Sequence, residues 1–277
     1  MADGVQSGDN GQGNNQHGSL MQAVKVAQAA PLQHAPNGIR YAAYGQNNMA
    51  PGELERMVQA VPTAIAGALS RKAYYFIPLA MSAAPSTPER EHRGSGEETM
   101  IATAYASELI DQAICHRNVP LGSDDGVFIS TRLLNDRFAL AFEFFINVGH
   151  AFVEAVGVPE AFNKLVWDQA LKDVRGETSQ DAWESRGQSL IQARIGTADP
   201  KLHIDEKSKS DYLESAFSDA VAIYQLSLSV DFNYSELRER EYPLLAPQPL
   251  AERLRLAAKL FPPNPGYEFS IRYRRRA

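Results

Sequence analysis

Over Thr131–Val156, TRLLNDRFALAFEFFINVGHAFVEAV, apolar residues recur at helical spacing around most of the circumference, and one polar seam interrupts them. At about 100° per residue, Arg132, Asp136, Glu143, Asn147, His150 and Glu154 fall within roughly 60° of one another. The pattern predicts a central helix, enclosed on most sides by other elements. Ser130 or Thr131 is expected to cap it, and Gly157 to end it.

The flanking patterns predict a helix-rich chain with a few short strands. Leu20–Ala30 has helical spacing and stops at Pro31, and Pro31–Pro51, punctuated by Pro, Gly and Asn, reads as an extended arm. Pro51 and Gly52 open a helix through Val61, and a second short helical piece follows Pro62. Ala73–Leu79 (AYYFIPL) is aromatic and β-branched enough for a strand. Ser82–Glu98 is a charged loop, Met100–Tyr105 a second strand, and Ser107 an N-cap for a helix over Glu108–His116. Gly126–Ser130 is a short strand. Beyond the central helix, Pro159 starts a helix to about Val174, and Thr178-x-x-Asp181 precedes one to about Ile195. Asp199–Lys209 reads as a loop. Ser210 caps a helix with the stripe Leu213, Phe217, Val221, Tyr224 and Leu228, Pro249–Leu260 is a final amphipathic helix, and Tyr267–Tyr273 alternates like an edge strand. The expected class is mainly α with a small β component (α+β), built around helix 131–156. Residues 1–50 form a long extended N-terminal arm and residues 51–277 a single mostly helical domain.

Composition narrows the function classes. A chain of 277 residues with 44% hydrophobic content buries a substantial core. Its net charge of −6 argues against a general nucleic-acid coat. The tail Arg272, Arg274, Arg275 and Arg276, interleaved with Tyr273, is the local exception and suits contact with nucleic acid or another polyanion. Cys115 is the single cysteine, which excludes an internal disulfide and suits a reducing, cytoplasm-like compartment. There is no run of 18 apolar residues to span a membrane and no secretory signal pattern at the N-terminus.

Candidate chemistry concentrates on the seam. Glu143, His150 and Glu154 stand at i, i+7 and i+11, the side-by-side spacing with which helical bundles hold metal ions. The competing reading makes the seam the wet face of one amphipathic helix, or a salt-bridged groove. Elsewhere, Gly94–Glu98 (GSGEE) lacks the Lys of a phosphate loop, and Cys115 beside His116 reads as an inert thiol. Trp167 and Trp183 read as core or interface anchors. Glu177, Asp181 and Glu184 with Arg175 and Arg186 read as a solvated charged turn. The sequence implies no cofactor.

VGHAF at Val148–Phe152, followed by Glu154, resembles the helix of zinc peptidases, in which His-Glu-x-x-His supplies two ligands and a general base. Ile146 and Asn147 stand where the first His and the Glu would be, and His150 alone remains. Glu214, in DYLESAFSDAVAIY, resembles the distant acidic third ligand of such enzymes. The resemblance covers roughly twenty residues and implies an inactive relative, because zinc loses its two-point grip and the attacking water its base. The reading expected first is a non-enzymatic structural or assembly subunit, self-associating into a homo-oligomer such as a coat or filament, with the arm Leu20–Met49 on neighbouring copies. A degenerate zinc-peptidase-like hydrolase domain is the alternative, and a secreted effector with a polar N-terminal signal is the third reading.

Overall fold

The computed structural model describes residues 20–82, 99–194, 204–237 and 242–271. In chain order the elements are β1 (Leu20–Gln22), α1 (Ala23–Ala29), β2 (Gln33–His34), β3 (Arg40–Ala43), α2 (Pro51–Gln59), α3 (Thr63–Ala66), β4 (Lys72–Ile77), β5 (Leu79–Ser82) and β6 (Thr99–Ala102). There follow α4 (Ser107–Ile110), β7 (Ala113–Ile114), β8 (His116–Leu121), β9 (Asp124–Ser130), α5 (Arg137–Val156), α6 (Glu160–Leu171), α7 (Gln180–Arg194), α8 (Glu206–Ser229) and α9 (Pro247–Leu260).

Lys72–Ile77 (KAYYFI) is an almost unbroken apolar run, as a strand covered on both faces requires. It forms β4, the middle strand of a five-stranded sheet ordered β2-β3-β4-β9-β8. β4 runs parallel to β3 and β9, while β2 and β8 add antiparallel edges. Successive side chains of a strand point to opposite faces, and the core divides accordingly. Tyr74, Phe76, Val127 and Ile129 pack with α5 and α8 on one face. Ala73, Tyr75, Ile77 and Phe128 pack with Ala23 and Val26 of α1 on the other. Tyr74 meets Phe144 edge-on at 5.2 Å, and Tyr75 stacks on Phe128 at 4.7 Å. A second, antiparallel sheet of four strands has the order β1-β6-β5-β7.

The two sheets are joined through neighbouring strands. β4 continues into β5 across Pro78 and β7 into β8 across Cys115, and with the step from β1 to β2 the chain passes from one sheet to the other three times. Ser130 joins the break: its Oγ donates to Ile114 O (2.5 Å) and accepts from Ala80 N (2.8 Å), and its N donates to Cys115 O (2.7 Å). Thr131 Oγ1 donates to Ile77 O (3.0 Å), and the Tyr105 hydroxyl to Thr131 O (2.6 Å). Main-chain groups that lose ladder partners at the break are thereby satisfied.

These findings correct the expected fold class. The structure is about 52% helical with 18% strand, an α/β mix with two sheets and not a mainly α protein. The extended arm is corrected from Leu20 onward: residues 20–43 supply β1, α1, β2 and β3, with members in both sheets. The Pro, Gly and Asn that suggested an arm separate short elements instead. Asn37, buried, donates from Nδ2 to Val58 O (2.9 Å) and Val61 O (2.8 Å) and accepts from Ile39 N (3.1 Å), tying this region to the end of α2.

Smaller corrections follow the same logic. The helix expected to run to His116 stops at Ile110, and His116 begins a strand whose hairpin turns at Gly122-Ser123. Tyr267–Ile271 forms no strand; Tyr267 Oη donates to Arg56 O (2.7 Å), and Asn264 Nδ2 donates to Gln59 O (2.8 Å) and Val61 O (2.7 Å), so this segment is laid on α2. α8 is capped by Asp205, whose carboxylate accepts from Lys207 N (3.1 Å), and not by Ser210. α5, at 20 residues, is apolar and long enough to cross a bilayer, but 56% of that stretch is buried inside the fold as its core helix.

A candidate site on the α5 seam

α5 begins six residues later than its apolar pattern predicts. Thr131–Leu133 is a 3₁₀ turn, and Asp136 is the N-cap, accepting from Ala139 N at 2.9 Å. Arg132 therefore lies before the helix, where Nη1 donates to Ala113 O and Nη2 to Cys115 Sγ (3.0 Å). From its cap the helix runs back along the sheet. Glu143 faces the start of β8, whereas Glu154 lies 3.9 Å from Lys72, at the other end of the parallel strands, and is 71% exposed. Eleven residues of helix separate them, about 16 Å along the axis. They share a face without sharing a site.

The structure brings together a different set. His116 Nδ1 donates to Glu143 Oε1. Asn147 Nδ2 donates to Glu143 O (2.7 Å) and to Glu143 Oε1 (3.2 Å). The Glu143 side chain is 17% exposed and that of His116 30%, so the cluster is half-covered and open on one side. An imidazole held through Nδ1 by a carboxylate keeps Nε2 for a further hydrogen bond. Asn147, at the position of the peptidase base, is an amide without basicity. It is buried and holds Glu143 in place.

The remaining candidates lie apart. His150 is exposed, and Glu214 is exposed and accepts from Ser210 Oγ at 3.2 Å. No group of three or more His, Cys, Asp or Glu placed to hold a metal ion occurs among the described residues. Gly149 of the resembling segment has a packing role. It sits where α5 crosses α8, and a Cβ there would stand 2.6 Å from Ser218 O. The arginines Arg272, Arg274, Arg275 and Arg276 lie outside the described residues.

The surroundings of the His116–Glu143 pair favour ligand contact. Since β8 is antiparallel to β9, with His116 opposite Ile129, the pair sits at the carboxyl ends of β3, β4 and β9. Ligands of open α/β sheets bind at that end. β8 is also an edge: no described strand pairs with its outer side. The bond from Ser130 N to Cys115 O sets the antiparallel alternation, so Arg117 and Val119 direct their main-chain groups at β9. His116 and Asn118 then direct theirs outward.

The charged run around residues 175–186, read from sequence as solvated, is partly a buried network. Glu177 is fully buried. It receives Arg253 Nη1 at 2.9 Å on Oε2, and Arg186 Nη1 (3.1 Å) and the Tyr212 hydroxyl (2.7 Å) on Oε1. Arg253 Nε donates to Gln169 Oε1 (2.8 Å), and Thr178 Oγ1 to Asp219 Oδ2 (2.7 Å). Burial pushes the Tyr212 phenol well above its ordinary pKa, and the Glu177 charge adds to that shift. For Arg253 burial opposes the charge, but Glu177 and Tyr212 outweigh it and hold its pKa above the ordinary value. Gly176, at φ +83°, lets the chain pass against the segment around Leu244, whose O would lie 2.3 Å from a Cβ. The network pins loop 173–178 among α6, α7, α8 and α9.

The chain matches no family model and no curated protein.

Proposed function

We propose that this is a non-catalytic binding domain built around a zinc-peptidase-like helix, in which β8 receives an extended peptide by strand addition. The observation that carries the reading is the open edge of β8 directly beside the His116–Glu143–Asn147 set. The outward main-chain groups of His116 and Asn118 offer a peptide backbone its hydrogen bonds, and the oriented imidazole offers a polar contact. Ile146 and Asn147, in place of the first His and the Glu, support binding without hydrolysis. Pro120 has no N–H to offer on that edge and is exposed, a device that limits edge-to-edge pairing of identical chains. It favours a short peptide over a second copy. The single cysteine supports residence in a reducing, cytoplasm-like compartment.

The assembly subunit stands as the second reading, now with two copies paired through the same edge in place of the expected contacts of the arm Leu20–Met49. One substitution tests both. Asn118→Pro removes an outward donor and leaves the bonds to β9 in place. Wild-type protein is expected to capture extended ten-residue peptides from a displayed random library, and the Asn118→Pro protein to lose them, at an unchanged particle mass. Failure of the wild-type protein to capture any peptide overturns the first reading. A wild-type dimer that Asn118→Pro converts to monomers establishes the second.

A further inference from the structure

α1 has seven residues, about 10 Å of helix, and covers only part of the outer face of the five-stranded sheet. Beside it lies a groove of about 520 Å³, floored by Ala73 and Tyr75 of β4, walled by Ala27, Leu32 and Leu121, and lined also by Arg40 of β3. This groove is on the sheet face opposite α5, at the amino ends of the parallel strands, and is separate from the His116 site.

Arg40 lines this groove and carries buried donors that the fold leaves unpaired. Its Nη1 donates to Asp124 Oδ2 at 2.7 Å, which fixes the guanidinium. Its Nε and Nη2 are buried and have no hydrogen-bond partner among the described residues. Leaving donors of a charged group unpaired is costly, so a buried pair of them calls for a ligand or another explanation. Nε and Nη2 lie along one edge of the guanidinium plane, the fork that matches the two oxygens of a carboxylate. Asp124 occupies the other side and leaves a near-neutral surrounding, which favours a singly charged ligand over a dianion. Burial and Asp124 raise the Tyr75 phenol, against an opposing effect of Arg40, so Tyr75 stays neutral and offers a flat floor. The volume and the mostly apolar lining suit a compact molecule with one charged end.

We propose that this groove binds a small monocarboxylate with an apolar body, its two oxygens forked on Nε and Nη2 of Arg40 and its body lying over Ala73 and Tyr75. Both nitrogens are shielded from bulk water, so a carboxylate that reaches them meets a poorly hydrated cation.

Isothermal titration of the full chain with benzoate and hexanoate, against benzamide and inorganic phosphate, tests the assignment. At least one carboxylate is expected to bind saturably with one-to-one stoichiometry, and benzamide and phosphate are expected not to bind. Arg40→Lys keeps the charge but loses the fork, and should weaken binding about tenfold or more. Ala27→Phe fills the apolar part while sparing Arg40 and Asp124, and should abolish binding whether or not the Arg40→Lys protein folds. Absence of saturable carboxylate binding, equal binding of phosphate, or affinity unchanged by Ala27→Phe would each overturn the proposal.

Discussion

Glu177 and Glu143 are both carboxylates that accept from several donors, yet one is sealed among four helices and the other opens beside a sheet edge. Around Glu177, two arginines and a tyrosine donate to the carboxylate, a glutamine takes Arg253 Nε, and Glu177 and Arg253 sit with no exposure. Around Glu143, one imidazole and one amide donate to the carboxylate, and the imidazole side chain is 30% exposed. The contrast teaches that buried charge density alone does not mark a functional site. A network with every partner inside the chain holds the loop in place, whereas the half-covered pair is where a ligand is proposed to bind.

The comparison can be broken from the buried side first. Glu177→Gln leaves two guanidinium groups facing a neutral amide and should destabilise the fold by about 3–5 kcal/mol, the loss seen when one partner of a buried ion pair is removed. Urea unfolding measures it, and a change below about 1 kcal/mol would show that the network does not clamp the loop. Gly176→Ala acts on the same loop through its backbone. With φ at +83° and a Cβ 2.3 Å from Leu244 O, a loss of about 1–3 kcal/mol is expected in the same measurement.

The seam should respond the other way round. Glu143→Gln keeps an acceptor for His116 and should cost about 1 kcal/mol or less in thermal unfolding, while peptide capture along β8 falls. A large stability loss with capture intact would reverse the roles given to the two regions. The smallest effect is expected at Asp124. Hydrogen bonding from Arg40 holds its carboxyl below the ordinary carboxylate range. A group with a depressed folded pKa contributes stability above its unfolded pKa, near 3.9 for Asp, and loses that contribution as pH falls through the folded value. Asp124→Asn should therefore remove a small increment at neutral pH and nothing below that range. A stability difference that grows towards acid pH would contradict the pairing with Arg40.

How much of this was legible in the chain varies with sequence distance. α5 could be read because its period is local, although its start was misplaced: Thr131–Asp136 continues the polar seam while the backbone forms a 3₁₀ turn and a cap. β8 was missed because its inward positions are Arg117 and Val119; a buried arginine breaks the apolar alternation that marks a strand. His116 stands in the sequence only as the neighbour of Cys115, and its partner Glu143 is 27 residues away on another element. Glu177 and Arg253, 76 residues apart, carry no local signal of their pairing, and Glu177 reads from sequence as part of a solvated charged turn.

The amino-acid sequence by itself determined the buried helix, the apolar run of β4 and the loss of the peptidase residues at Ile146 and Asn147, because periodicity and residue identity are properties of neighbours along the chain. Only the tertiary structure decided which charges are buried, which strand forms the edge, and which imidazole meets the seam. Those outcomes depend on desolvation and on contacts between distant segments, which exist only once the two sheets and the helices have packed together.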